Sequence, residues 1–251
     1  MALTKYQFPR LLRMATFEDG PVEWATFAAL LGLAIFLFRR LRVKDITYPK
    51  SVRAAMMGLA LLCLVAAGEE ISWGQRILGL ETGERFRELN YQGETNLHNL
   101  LPPQLFNGLI MLTFLFLFCL YPLYKHFRSS ETPWWLPSRH LAILSLGVIL
   151  VNHYRVSRIE HFGNVSVFLL VVILTIVSLR RQRWGELAAC LSCLVTSSTL
   201  YWCRHVLKLN NMQYEIRELL VVLVVAQHCH EALGRLATHL KAPTEDIDST
   251  L

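Results

Sequence analysis

The stretch AAMMGLALLCLVAAGEEISW, residues 54–73, decides the fold class. Its apolar part is long enough to carry a helix across the hydrocarbon core of a bilayer, which takes about 20 residues. It closes on two adjacent carboxylates, Glu69 and Glu70. At such a depth a carboxylate is costly unless it is paired, protonated or bound to something, so the end of this run reads as a functional site.

The same apolar texture recurs along the chain. Of 251 residues, 53% are hydrophobic and 18% charged, against about 25% charged in soluble domains. Mean hydropathy is +0.36. Spans are expected at residues 22–40, 54–73, 104–124, 139–155, 163–180, 185–204 and 214–234. No strand alternation is sustained, which excludes an outer-membrane barrel. The expected fold is all-α, a polytopic transmembrane helix bundle of about seven spans. Residues 1–21 read as an interfacial segment, 22–240 as the membrane domain and 241–251 as a disordered cytoplasmic tail. The first 20 residues lack the continuous apolar stretch of a cleavable signal.

The net charge of +6 does not point to nucleic acid, because the basic residues sit in short loops between apolar runs. Arg39, Arg40, Arg42, Lys44, Lys50 and Arg53 cluster after the first span; Lys125, Arg128 and Arg139 follow the third, and Arg180, Arg181 and Arg183 the fifth. Positive loops stay on the cytoplasmic side. The N-terminus is therefore expected outside and the C-terminus in the cytoplasm, in a bacterial cytoplasmic membrane, with the lipid bilayer itself as the chief partner.

Span parity then gathers the polar residues at one face, on the outside. Glu69, Glu70, Ser72, Trp73, Gln75 and Arg76 close span 2; Glu94, Asn96, His98 and Asn99 precede span 3. His153 and Arg155 join spans 4 and 5, and Glu215 and Glu218 open span 7. If span 2 continues as helix to Arg76, then Glu69, Ser72, Trp73 and Arg76 share one stripe, while Glu70 points about 100° away. One glutamate can then pair with an arginine and the other handle a proton or a metal; an ion pair locking helix ends is the alternative. Glu94 and His98 stand four apart, suiting a carboxylate–imidazole pair on a helix. Glu69, Glu70 and His98 are the catalytic candidates. Ser72, Trp73, Gln75, Arg76, Glu94, Asn96, Asn99, His153, Arg155, Glu215 and Glu218 are the substrate-binding candidates. A divalent metal on Glu70 and His98 is the candidate cofactor.

Other polar features read as packing. Cys190 and Cys193 have redox spacing but lie in an apolar run without a second pair. His228 and His230 are two apart on span 7 and point away from each other.

The run Gly68-Glu69-Glu70-Ile71-Ser72-Trp73-Gly74-Gln75-Arg76 followed by Asn96-Leu97-His98-Asn99 resembles a signature of bacterial polytopic membrane proteins with no assigned activity. The resemblance covers about 30 residues and implies a membrane fold but no reaction. Membrane-embedded CAAX-type proteases carry adjacent glutamates with an arginine four positions on; here Arg76 lies six after Glu70. The alkaline ceramidase superfamily binds zinc through a His-x-x-x-His on its last span, where this chain has His228-Cys229-His230. Neither pattern is met. Function is expected to be an enzyme acting at the outer face on a lipid or lipid-linked substrate, with a proton- or cation-coupled transporter or channel, or a non-catalytic scaffold, as alternatives.

Overall fold

The computed structural model describes residues 20–75, 78–90, 97, 100, 103–129, 132–151, 158–207 and 212–241; at 103–107, 158–163, 201–207 and 212–214 it describes the helical backbone alone. Nine α-helices are seen among them: α1 (Pro21–Leu41), α2 (Lys50–Glu70), α3 (Glu84–Leu89), α4 (Pro103–Phe114), α5 (Tyr121–Arg128), α6 (Arg139–Leu150), α7 (Arg158–Arg180), α8 (Trp184–Leu207) and α9 (Met212–Lys241). No strand occurs among the described residues. The protein is an all-helical bundle of membrane type. Four helices are long and apolar enough to cross a bilayer: Pro21–Leu41, Lys50–Glu70, Gly108–Arg128 and Glu215–Lys241. Arg139–Leu150 and Asn164–Arg180 are shorter apolar helices.

Local chemistry sets the helix limits. Pro21 opens α1, where its missing N–H costs nothing. Arg39 and Arg40 close it, favourably placed against the negative helix end. Between α4 and α5 the helix widens into a π-turn, Leu115–Leu120, immediately before Pro122. Proline has no N–H to return to the carbonyl four residues back, so the backbone there shifts register.

Two apolar clusters build the core, and α9 joins them. Leu33, Ala34 and Leu37 of α1 pack with Ala60, Cys63 and Ala67 of α2 and with Cys229, Leu233 and Leu236 of α9. The second cluster unites the π-turn with α6, α7 and α8, and α9 enters it through Val224. α6 and α8 approach closely: a Cβ on Gly147 would lie 2.8 Å from Cys193 Sγ. Cys190 and Cys193 are both buried in this cluster with free thiols, as packing residues. Large apolar side chains outside the two clusters, such as Leu61, Leu62, Leu112, Phe116, Leu169 and Val195, are exposed. Such a surface suits hydrocarbon and not water.

The helix ends sort into two sets. At one end α6 and α8 begin together, tied by Arg139 Nε to Glu186 Oε2 at 3.0 Å. There α7 finishes, its Ser178 hydroxyl 3.4 Å from the same carboxylate. Arg235, late in α9, donates to the carbonyls of Trp134 and Leu136 just before α6. Phe36, late in α1, lies 5.9 Å from the ring of His230. This is the basic end. The start of α1, the end of α2 and the start of α9 meet at the other.

Candidate functional site

At that opposite end, α2 does not continue to Arg76. It stops at Glu70, and Ser72, Trp73 and Gly74 turn through left-handed backbone, with φ of 46°, 56° and 75°. The expected stripe of Glu69, Ser72, Trp73 and Arg76 is therefore not formed; Arg76 itself lies outside the described residues. Left-handed backbone at a serine and a tryptophan costs about 1–3 kcal/mol each, so the surroundings must enforce it.

The motif supplies that enforcement. The Trp73 ring folds back over α2, where a Cβ on Gly68 would come within 2.9 Å of its ring atoms. Only a residue without a side chain admits the indole there. Trp73 Nε1 donates to Glu69 Oε1 at 2.6 Å. Gly74 N donates to the Ile71 carbonyl at 2.8 Å, and Gln75 N to Ser72 at 3.1 Å. The Gln75 amide nitrogen then donates to Thr82 Oγ1 at 2.5 Å and to the Leu80 carbonyl at 3.2 Å. Gly68, Glu69, Trp73, Gly74 and Gln75 thus specify one tight reversal.

The second glutamate oxygen reaches further. Glu69 Oε2 accepts from the backbone N–H of Leu97 at 2.5 Å. Hydrogen bonds to a charged acceptor are worth about 1.5–3 kcal/mol. This one fastens Leu97, the described residue of the second polar motif, to the end of α2. His98, its neighbour, lies outside the described residues, as do Glu94, Asn96, Asn99, His153 and Arg155. The expected pairing of Glu94 with His98 falls there too, as does the His98 half of the candidate metal site with Glu70.

Glu70 points elsewhere. It shares an electrostatic environment with Glu218, Glu215 and Glu23. Helices α1, α2 and α9 therefore each bring carboxylates to this end of the bundle. Glu70 makes no hydrogen bond or ion pair with another described residue, whereas Glu23 and Glu215 are engaged by partners of their own. Arg217 stands beside Glu218 and interacts with it, although its side chain is only 1% exposed. The two adjacent glutamates of the motif thus have separate tasks: Glu69 holds the turn and the Leu97 segment, and Glu70 joins the acidic cluster. Among the described residues no three of His, Cys, Asp and Glu are close enough to hold a metal ion.

Glu23 and Arg217 were not singled out from the sequence. Glu23 is three residues into a candidate span, and span parity alone would have placed it with Glu70. Arg217 is flanked by Glu215 and Glu218 in the opening turns of α9 and looks like a solvated charge in any linear reading. His228, by contrast, is far from this cluster and meets the Phe118 ring edge-on at 5.5 Å, while His230 meets Phe36. Compared with family models, with curated proteins and with solved structures, the chain matches none.

Proposed function

We propose that the acidic end of the bundle is the working site of an integral membrane enzyme acting on a lipid or lipid-linked substrate, with Glu70 as its proton-transferring group. The observation that carries the reading is the division between the two glutamates. Glu69 is tied to Trp73 and Leu97, and Glu70 faces carboxylates of two other helices. Like charges so gathered hold their arrangement at a cost that a proton, a cation or a cationic substrate group relieves.

In this reading Glu69 positions the segment before His98, and His98 is the partner base. Arg76 or Arg155 would hold an anionic headgroup by charge-assisted hydrogen bonds. The bundle would cross seven times, N-terminus outside, in a bacterial cytoplasmic membrane. Parity of the helix ends supports the odd number, and the clustering of lysine and arginine supports the orientation. The test is turnover by purified protein in vesicles of extracted membrane lipid, with products read by mass spectrometry. Glu70→Gln should lose activity by about a hundredfold or more; turnover at the wild-type rate by that variant would end the proposal.

The concentration of four carboxylates also favours a second reading, a proton or cation pathway. Flux of protons or cations into proteoliposomes, lost in Glu70→Gln, would replace the enzymatic reading with that one.

A further inference from the structure

On the far side of α9 from the acidic cluster, α6, α8 and α9 enclose a crevice of about 360 Å³. Its walls include Gly147, Val148, Cys193, Thr196, Val224 and Gln227. Small residues, Gly147, Cys193 and Thr196, border it between α6 and α8, and Leu220, Leu223 and Gln227 border it on α9. A Cβ on Gly147 would lie 2.8 Å from Cys193 Sγ, so the glycine lets the backbones of α6 and α8 come together beside the crevice.

The crevice opens sideways. Leu144 and Leu223 line it and are 43% and 48% exposed, on a surface that is otherwise apolar. α9 is one of the helices able to cross the membrane. The lining runs along α6 from Leu141 to Val151, about 15 Å at 1.5 Å per residue. A slot of this length runs along helices whose exposed apolar surface suits hydrocarbon. Its walls are mostly apolar, with Ser192, Thr196 and Gln227 as the polar exceptions. In a bilayer such a slot borders acyl chain, whose methylenes match its mostly apolar walls.

We propose that this crevice is a binding site for one acyl chain of a bilayer phospholipid, held between α6, α8 and α9 apart from the lipid that merely surrounds the protein. It stands whether or not the acidic end is catalytic. The chain gains dispersion contacts with walls that would otherwise lack partner atoms. Thr196 is exposed at the edge of the slot, so a larger side chain there occupies the slot without entering the packed core.

The experiment uses the full chain in phosphatidylcholine vesicles doped with phosphatidylcholine carrying a diazirine halfway along one acyl chain. After irradiation, labelled peptides are mapped by mass spectrometry. The expected result is labelling of the peptides around Thr196 and around Leu223 to Gln227 about tenfold above that around Leu61 and Leu62 of α2, corresponding to a tenfold preference. Thr196→Trp should remove the excess, while Thr196→Ser and Leu61→Trp should keep it. Even labelling of all apolar faces would mean surrounding lipid only and would overturn the proposal. So would cross-links between the crevices of two chains, which would make the occupant a helix of a second copy.

Discussion

The two ends of the bundle treat charge in opposite ways. At the basic end the charges meet their opposites. Glu186 binds Arg139 and Arg183 together, Arg139 lies 4.4 Å over the Phe127 ring, and Arg235 is held by carbonyls. At the acidic end, carboxylates of three helices share one electrostatic environment; Arg217 interacts with Glu218, and Glu23 and Glu215 are engaged by partners of their own, which leaves Glu70 without an ion pair among the described residues. Oppositely charged neighbours close a structure; like-charged neighbours leave it needing a proton or a ligand. In the proposed reading, stability rests on one end and chemistry on the other.

The contrast is most exposed to a substitution at the basic end. Glu186→Ala leaves the guanidinium of Arg139 buried without its carboxylate, and should cost about 3–5 kcal/mol. Thermal unfolding in detergent measures it, and a loss no larger than that of an ordinary surface change would break the comparison. Gly147→Leu comes next. It forces a side chain against Cys193 and should cost about 1–3 kcal/mol by overpacking, read in the same assay. Trp73→Phe keeps the ring over Gly68 but removes the indole donor to Glu69, and should cost about 1 kcal/mol. A double-mutant cycle with Glu69→Gln sharpens that point, because residues that share a contact give non-additive losses. The smallest effect is expected at the acidic end itself. Glu70→Gln should shift stability by no more than about 0.5 kcal/mol in the unfavourable direction, since it removes a like-charge neighbour and no described partner. A loss of several kcal/mol there would show Glu70 to be half of a structural ion pair, and would erase the distinction between the ends.

Much of the candidate site is local enough to be anticipated from order along the chain. The divergence of Glu69 and Glu70 follows from the 100° step of a helix, and the meeting of Glu70 with Glu215 and Glu218 follows from span parity. What misled was continuity. The apolar run into Ile71 and Trp73 suggests helix through Arg76, yet the backbone reverses at Ser72 because the indole gains a seat on Gly68 and a bond to Glu69. That is a contact between a residue and the turn before it, and propensity does not register it.

The sequence by itself pointed to an all-helical membrane protein, since a single continuous apolar run can satisfy its own backbone polar groups in hydrocarbon only as a helix, and the alternation of a barrel strand is missing. It also determined that charge would concentrate at helix ends. The tertiary structure alone decided that Glu69 would fasten Leu97, that Arg217 would be buried beside Glu218, and that a slot would open beside Thr196. These depend on how far apart helices pack and which residue of one faces which of another. Such distances are set by side-chain volumes meeting across space, such as Gly147 against Cys193, and no reading of a single segment contains them.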